Sequence, residues 1–430
     1  MPYVLPSKTV PGTCTGCGGT NEGLKTAPYD EPLRHIGRYV DSVTQGNVQN
    51  LGLRTVRARA VHVVPQRNRL YVALGEAVGG YKLDTFFTPT KLTLKAVSAL
   101  NVGKTPKGRT PLERAAVPDS IFYAESPLSG WTSQPIDAQR ILADFDADER
   151  GFLYVSTLQL GWGLAKDHLD AGNHMEFIVQ VEDSPIVAHT IFSMKDGNKF
   201  FAVISQNVGP PHAIYDVTDI TKKPVLVVHR SGPNAGFRAW TKTADGKRFA
   251  VLDTGGQIRV YEANKLIAGT PTLFTVPPPN APGKIWADIA FDPAGNLWFC
   301  DTNPKAVVTN TLFCLQKTSP TGYQLKAFPV IPDFSPTRID ASSKFIVLAG
   351  RAKKGAILAG DLRLLKRGTG FPTPVNIGTF FRDYYHVAPM AGFAKPERTG
   401  TDSLRLIEQG GKTFLVYSAE GLGDVFEIAA

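Results

Sequence analysis

The stretch Pro293-Ala-Gly-Asn-Leu-Trp-Phe-Cys-Asp301 is a polar turn followed by a run of apolar residues that ends in a polar one. The same phrase is written seven times along the chain. Its first strand residues are Leu70, Leu153, Phe200, Phe249, Leu297, Phe345 and Phe414. From Leu153 to Phe345 these residues lie 47, 49, 48 and 48 positions apart. A period of this length is expected of one four-stranded propeller blade per repeat.

The composition favours many short strands over long surface helices. Charged residues make up 20% of the 430 positions, and the chain contains 41 Gly and 32 Pro, which suits strands joined by tight turns. The sequence therefore predicts an all-β chain, a seven-bladed β-propeller with an extended N-terminal arm and two inserted loops.

The repeat spacing predicts where the domains begin and end. We expect residues 1–55 to form the arm and residues 56–430 the propeller, with blades near 56–100, 137–183, 186–231, 236–276, 284–330, 335–380 and 401–430. Two wider spacings predict insertions at about 101–136 and 381–400. The last repeat has only about three strands, so we expect a strand of the arm, such as Arg38–Val43, to close the ring.

Two repeats resemble known propeller blades. The segment Ala213–Val228 resembles the LVIVD-type repeat, and Asp288–Trp298 is similar to a blade of the NHL or SMP-30 type. The resemblance implies the β-propeller superfamily and no particular activity. SMP-30-like lactonases carry a metal-binding Asp where this chain has Ala287, and this departure counts against lactonase chemistry.

The first strand of each blade lines the central channel of a propeller, which is the usual ligand site. The polar and aromatic residues predicted in these strands are His189, Arg238, Trp240, Asp288 and Arg338. They form the predicted ligand site. The alternative follows from strand alternation, which turns half of them into the packing between blades.

The two insertions are the predicted partner-binding surfaces, because loops on a regular scaffold commonly carry function. Their candidate residues are Tyr123, Trp131, Arg382, Tyr384, Tyr385 and His386. Tyr, Trp and Arg supply contact area and hydrogen bonds at interfaces. The alternative is that these aromatic residues only fix the loops to the ring.

Few residues form a recognisable metal or catalytic pattern. Cys14 and Cys17 form the one paired-cysteine motif, with a shared metal, a local disulfide and two free thiols as the alternatives. Cys300 and Cys314 are expected to be buried thiols, able to form a disulfide only if they lie opposite each other. His168 and His174, in a segment expected to be a loop, are weak cation candidates with Asp167 and Asp170. We predict no cofactor, with a divalent metal as the alternative.

The distribution of charge and the apolar runs of the chain bear on its partners and its location. The net charge of +9 is spread along the chain, with one basic group in the sixth repeat. That group comprises Arg351, Lys353, Lys354, Arg363, Lys366 and Arg367. Solvated loop charges are the favoured interpretation of it, and nucleic-acid binding is the alternative. With no signal-peptide core and no apolar run of membrane length, we expect a soluble chain made in the cytosol.

The leading functional prediction is a non-enzymatic interaction or structural module, a subunit of a larger assembly such as a virion or surface layer. We expect a protein partner or a second copy to bind through the insertions and the arm. The alternative is a propeller enzyme or small-ligand binder that acts at the mouth of the channel.

Overall fold

The structure is a computed structural model that describes residues 3–4, 32–40, 61–73, 77–87, 95–96, 114–115, 120–123, 142–157, 161–168, 174–181, 190–205, 211–232, 235–269, 273–304, 309–331, 334–354, 357–382, 403–419 and 422–429. It is a seven-bladed β-propeller, which confirms the predicted fold class. Each blade contains four strands, to which the sixth adds a fifth, and we number these sheets in chain order.

The first half of the chain contains strands β1 to β16. These are β1 (Tyr3–Val4), β2 (Leu33–Val40), β3 (Val61–Val64), β4 (Arg69–Ala73), β5 (Ala77–Lys82), β6 (Lys95–Ala96), β7 (Arg114–Ala115), β8 (Ser120–Tyr123), β9 (Leu142–Ala147), β10 (Phe152–Thr157), β11 (Gly161–His168), β12 (His174–Val181), β13 (Thr190–Asp196), β14 (Lys199–Ser205), β15 (His212–Asp216) and β16 (Val225–Arg230).

The second half contains strands β17 to β31. These are β17 (Phe237–Lys242), β18 (Arg248–Asp253), β19 (Ile258–Glu262), β20 (Phe274–Val276), β21 (Ile285–Phe291), β22 (Leu297–Thr302), β23 (Asn310–Lys317), β24 (Tyr323–Ile331), β25 (Phe334–Ala341), β26 (Phe345–Lys354), β27 (Ile357–Lys366), β28 (Val375–Arg382), β29 (Ser403–Gln409), β30 (Lys412–Ala419) and β31 (Leu422–Ile428). Two short helices, α1 (Leu83–Phe86) and α2 (Ala263–Ala268), and a 3-10 turn at Pro65–Arg67 join strands.

The repeated phrase forms the second strand of every sheet. These strands are β4, β10, β14, β18, β22, β26 and β30. They lie between two neighbours, and β22 is buried along its whole length. A strand covered on both faces needs an unbroken apolar run rather than an alternating one, and the phrase supplies such a run.

An aspartate at the start of the polar turn holds the turn in place in two of the repeats. Oδ1 of Asp148 accepts the backbone N–H groups of Arg150 and Phe152 at 2.8 and 3.2 Å. Asp292 accepts the N–H of Asn296 at 2.9 Å in the equivalent turn. Gly151 and Gly295 follow three residues after these carboxylates at φ values of +83° and +84°, which favour glycine.

Three sheets draw strands from distant parts of the sequence. The seventh sheet joins β2 to the last three strands, in the order β2-β31-β30-β29. The fourth strand of the first sheet is β8, which lies inside the segment predicted as the first insertion, because the chain passes through α1, β6 and β7 before it returns to β5. The sixth sheet carries β1 as a fifth, parallel strand on β28.

The chain divides into two compact units, each with its own packing. The first comprises Met1–Leu160, Leu164–Ile178 and Phe380–Ala430, and the second Gly161–Gly163 and Val179–Thr379. In the first unit, the rings of Phe87 and Phe414 stack at 4.1 Å. In the second unit, aromatic and aliphatic side chains of neighbouring sheets form clusters around Trp240 and Trp286. None of the helices in the described residues is both long enough and apolar enough to cross a bilayer.

Candidate interaction site

The predicted ligand-site residues lie beside irregular points of three first strands. Pairing with the second strand shifts register between Phe237 and Ala239 in β17, between Trp286 and Ile289 in β21, and between Pro336 and Arg338 in β25. A bulge of this kind changes the direction of nearby side chains. Arg238 and Asp288 lie within the irregular segments, and Arg338 lies just after one.

Asp288 connects two neighbouring sheets. Its side chain is buried, and Oδ2 accepts the backbone N–H of Ile339 at 3.3 Å. Arg238 is exposed and Arg338 is partly buried. The structure therefore brings Asp288 close to the backbone beside Arg338, and the use of this group as a ligand site stays a prediction.

Trp240 lies in the core between the third and fourth sheets. Its ring stacks on Phe192 at a centroid distance of 4.9 Å, and 4% of its surface is exposed. Lys242 places its ammonium 5.8 Å from the same ring. The side chain thus packs between blades. His189 lies outside the described residues.

The predicted partner-binding residues are at or beyond the limits of the described chain. Tyr123 ends β8 and Arg382 ends β28, and only their backbone is described. Trp131, Tyr384, Tyr385 and His386 lie outside the described residues, as do Cys14 and Cys17. These interpretations stay predictions.

The basic group of the sixth repeat contains two arginines that pack against their own fold. Arg367 forms an ion pair with Asp292 at 2.9 Å, and its guanidinium lies 4.9 Å from the ring of Trp298. Arg363 lies 4.6 Å from the ring of Phe334. Both guanidinium groups therefore contact side chains within the second unit. Of the remaining cations, Lys366 is exposed.

His168 and His174 belong to strands, since β11 ends at the first and β12 begins at the second. Asp167 is fully buried, and its Oδ2 accepts from Arg69 Nε at 3.1 Å and from the hydroxyl of Tyr71 at 2.8 Å. Burial first, then the charge of Asp167, raises the pKa of Tyr71. Within the described chain, no three His, Cys, Asp or Glu side chains are grouped so that they could hold a metal ion.

Cys300 and Cys314 are free thiols on adjacent strands. Cys300 lies opposite Leu312, and Cys314 opposite Trp298, so the register does not bring the two sulfur atoms together across the sheet. Burial raises the pKa of both thiols, which keeps them protonated and poorly nucleophilic.

The outer strand of the third sheet, β16, exposes a continuous apolar strip. Within the described residues, five large hydrophobic side chains are exposed, and three of them are consecutive: Val225, Leu226 and Val227, with exposed fractions of 63%, 44% and 46%. The other two, Leu325 and Val375, stand singly on other sheets. Isolated exposed hydrophobic residues are ordinary, but a contiguous group commonly marks a binding surface.

The pairing of β16 is irregular within this strip. Val225 and Leu226 pair with Asp216 and Tyr215, while Val228 pairs with Ile214, so Val227 is an extra residue in the ladder. The extra residue shifts the alternation of faces after Leu226, and all three side chains are exposed on this outer strand. We call Val225–Val227 and the outer edge of its strand, with which no described strand pairs, the β16 edge.

The sequence of this segment predicts a strand but does not show that the strand is exposed. Pro224-Val-Leu-Val-Val228 is an unbroken apolar run, and such a run is the same for a strand covered on both faces and for an exposed one. Only the sheet order, which ends at β16, tells the two apart.

Comparison with known proteins supports the fold and no activity. No protein-family model and no curated protein sequence matches the chain. One solved structure that matches is the β-propeller domain of Cps50 (Swd1) from Myceliophteria thermophila. It is 10% identical to this chain, the match covers 88% of this chain and 99% of that chain, and the TM-score is 0.48. The WD40 domain of coronin from Toxoplasma gondii has 8% identity, coverage of 91% and 84%, and a TM-score of 0.49.

A third match is Raptor from Chaetomium thermophilum, with 8% identity and a TM-score of 0.52. It covers 92% of this chain but 29% of that one. Identity this low shows a shared fold alone.

Proposed function

We propose that this protein is a non-enzymatic interaction scaffold whose sheets hold a protein partner. The observation that carries the proposal is the β16 edge, where three neighbouring hydrophobic side chains remain in water. Covering half of a Val or Leu side chain gains on the order of 1 kcal/mol each. Exposure of these side chains does not stabilise a monomer. Binding of a partner that covers them is favoured by the free energy of burying all three.

The scaffold itself is suited to present such an edge without deforming. In the third sheet, Phe200 N–H donates to Thr218 Oγ1 at 2.9 Å, and Thr218 N–H donates to Asp216 at 2.9 Å. These side-chain contacts fix the turn that leads towards β16. A pre-organised surface loses little conformational entropy on binding.

The direct test is the mass of the native particle. The protein is isolated from its own source under gentle conditions, and its mass is measured by light scattering after gel filtration. We expect a particle of defined stoichiometry that is heavier than the 46.6 kDa chain. A particle of 46.6 kDa from the native source, over the full range of concentrations, contradicts the proposal.

The finer proposal is that this particle is a repeating assembly, such as a virion or a surface layer, joined through the insertions and the arm. Electron microscopy of the same material tests it. Regular arrays or shells that contain the protein support it, and discrete small complexes contradict it while leaving the scaffold proposal intact.

A second candidate is small-ligand binding at the first strands of the fourth to sixth sheets. The three bulges beside Arg238, Asp288 and Arg338 favour it, because bulges are frequent next to functional sites. Elemental analysis and a turnover screen of the wild type and Asp288→Asn test it. A stoichiometric metal or a turnover that is lost in the variant supports this candidate, and identical results for both proteins contradict it.

A further inference from the structure

We propose that the β16 edge binds an extended apolar segment of a partner protein, flanked by acidic residues, which adds to the third sheet as a fifth strand. This inference rests on the proposed function and specifies the chemistry of the partner. Two features of the structure support it: the position of β16 as the last described strand of its sheet, and the charges at its two ends.

None of the described strands pairs with the outer side of β16. The sheet order β13-β14-β15-β16 ends there, so residues on the outer side of β16 turn N–H and C=O groups away from β15. Strand addition satisfies those groups, and the exposed side chains then select the sequence of the added strand.

The same molecule already uses an outer edge in this way. The short strand β1 pairs in parallel with β28, with Tyr3 opposite Phe380 and Val4 opposite Phe381. The outer strand of a blade in this fold thus accepts an extended segment from elsewhere, and β16 is also the outer strand of its sheet.

The charges along β16 favour an acidic partner over a second copy of the chain. From Lys222 to Arg230 the sequence contains no acidic residue: two lysines precede the apolar strip, and His229 and Arg230 follow it. Asp219, in the preceding turn, pairs with Lys222 at 2.9 Å, and the guanidinium of Arg230 contacts the carbonyl of Ile267 at 3.0 Å. Pairing of β16 with itself places the lysines of one copy beside the cations of the other, which is unfavourable.

Two other outer strands, β20 and β24, are less suited to this role. Strand β20 has three residues, and β24 carries a single exposed large hydrophobic residue, Leu325, between Gln324 and Lys326. The bulge at Val227 leaves regular pairs on both sides of it. A partner strand therefore finds two ordered segments, Val225–Leu226 and Val228–Arg230.

The test measures the binding of a designed peptide by fluorescence anisotropy. The probe is a fluorescein-labelled nine-residue peptide in which five alternating Val and Thr residues lie between two pairs of Glu. A second probe replaces each Glu by Lys, and a third is N-methylated at its Val residues to remove hydrogen bonds. We expect saturable binding of the first probe and affinities at least 10-fold weaker for the other two.

The variant Leu226→Lys is compared with the matched control Leu325→Lys, which changes a side chain of similar exposure on another outer strand. We expect L226K to weaken the first probe at least 10-fold and L325K to leave its affinity unchanged. Circular dichroism checks that both variants fold. The N-methylated probe keeps the test decisive on the wild type even if L226K does not fold.

Several outcomes overturn the inference. These are no saturable binding of the first probe up to millimolar concentration, equal binding of the Glu and Lys probes, or equal binding to L226K and L325K. Sedimentation velocity identifies the other occupant: a wild-type dimer that L226K abolishes means that a second copy covers the edge. If the native complex instead persists unchanged with L226K, the scaffold function stands and the β16 edge is not its binding site.

Discussion

At the scale of single residues, the structure is held by polar side chains that are buried in pairs. Arg69 and Asp167 are almost fully buried and lie 3.1 Å apart, and Tyr71 donates to the same carboxylate. A buried charge without its partner is costly, because it has left water and gains nothing in return. The pair therefore fixes which strands lie together in the first unit.

The variant Asp167→Leu tests this role. We expect it to lower the free energy of unfolding by about 3–5 kcal/mol, because it leaves the Arg69 guanidinium buried and uncompensated. Urea denaturation measures the change. Asp219→Ala, which breaks an exposed pair with Lys222, is the control and should unfold like the wild type. In the double variant Arg69→Met/Asp167→Leu we expect most of the loss to be recovered, and a double variant as unstable as D167L contradicts the account.

His212 is a buried imidazole that links stability to pH. Burial lowers its pKa to about 4, and the nearby charges of Arg230, His229 and Arg259 act in the same direction. The hydrogen bond between its Nδ1 and the carbonyl of Ala235 acts in the opposite direction, and the ring stacks on Phe237. The unfolded chain, with a pKa of about 6.5 for this group, binds a proton at a higher pH than the folded protein.

The stability that comes from neutral His212 is therefore present above pH 6.5 and is lost as the pH falls towards 4. Between pH 7 and pH 5 we expect the wild type to lose about 2 kcal/mol more than His212→Asn. Urea unfolding at several pH values measures the difference. Parallel curves for the two proteins would show that His212 is not the linked group.

At the scale of elements, the second strand of each sheet was the most predictable part. The seven phrases became seven second strands because their apolar runs match a strand covered on both faces. The turns were also predictable, because Asp and Gly at positions such as 148 and 151 are the residue types that tight turns favour. The outer strands, such as β8 and β16, were less predictable. The burial of their residues depends on which strand or loop lies beside them, and the sequence does not show this.

A close approach between β25 and β26 gives a prediction at this scale. A Cβ atom on Gly350 would overlap the carbonyl oxygen of Ser335 and lie 2.8 Å from Cα of Pro336, both of them backbone atoms. We expect Gly350→Ala to destabilise the protein by about 1–3 kcal/mol, because two paired strands have to separate. Thermal or urea unfolding measures this change.

The control is Gly322→Ala, where the nearest atoms are the hydroxyl groups of Ser319 and Thr318 at 2.6 and 2.9 Å. These flexible ends can move aside, so the control should unfold nearly like the wild type. If G350A and G322A are equally stable, the two strands are not as close as the structure places them.

At the scale of the whole molecule, the seventh sheet joins the two ends of the sequence. Leu33 begins β2 opposite Ile428 and is 1% exposed. Leu33→Ala should therefore lower the free energy of unfolding by about 2–5 kcal/mol, because it opens a cavity where β2 meets β31. Leu325→Ala, at a side chain 47% exposed, should cost much less. Similar losses in both variants would contradict the pairing of β2 with the last three strands.

The candidate site was less accessible to sequence reasoning than the fold. Asp288 and Arg238 were recognised as first-strand residues, but the bulges that place them are not encoded in any motif. The exposure of the β16 edge is not predictable from the sequence, because an apolar run predicts a strand without showing which neighbour covers it. Arg367, predicted as part of a basic loop, instead pairs with Asp292 across two sheets, a contact set by the packing of distant segments.

The most direct test of the central claim is a density map of the protein bound to its native partner. The account predicts a continuous extended segment of the partner about 4.8 Å from β16, running along Val225–Arg230 as a fifth strand of the third sheet. A map in which the partner binds elsewhere and β16 remains uncovered would contradict it.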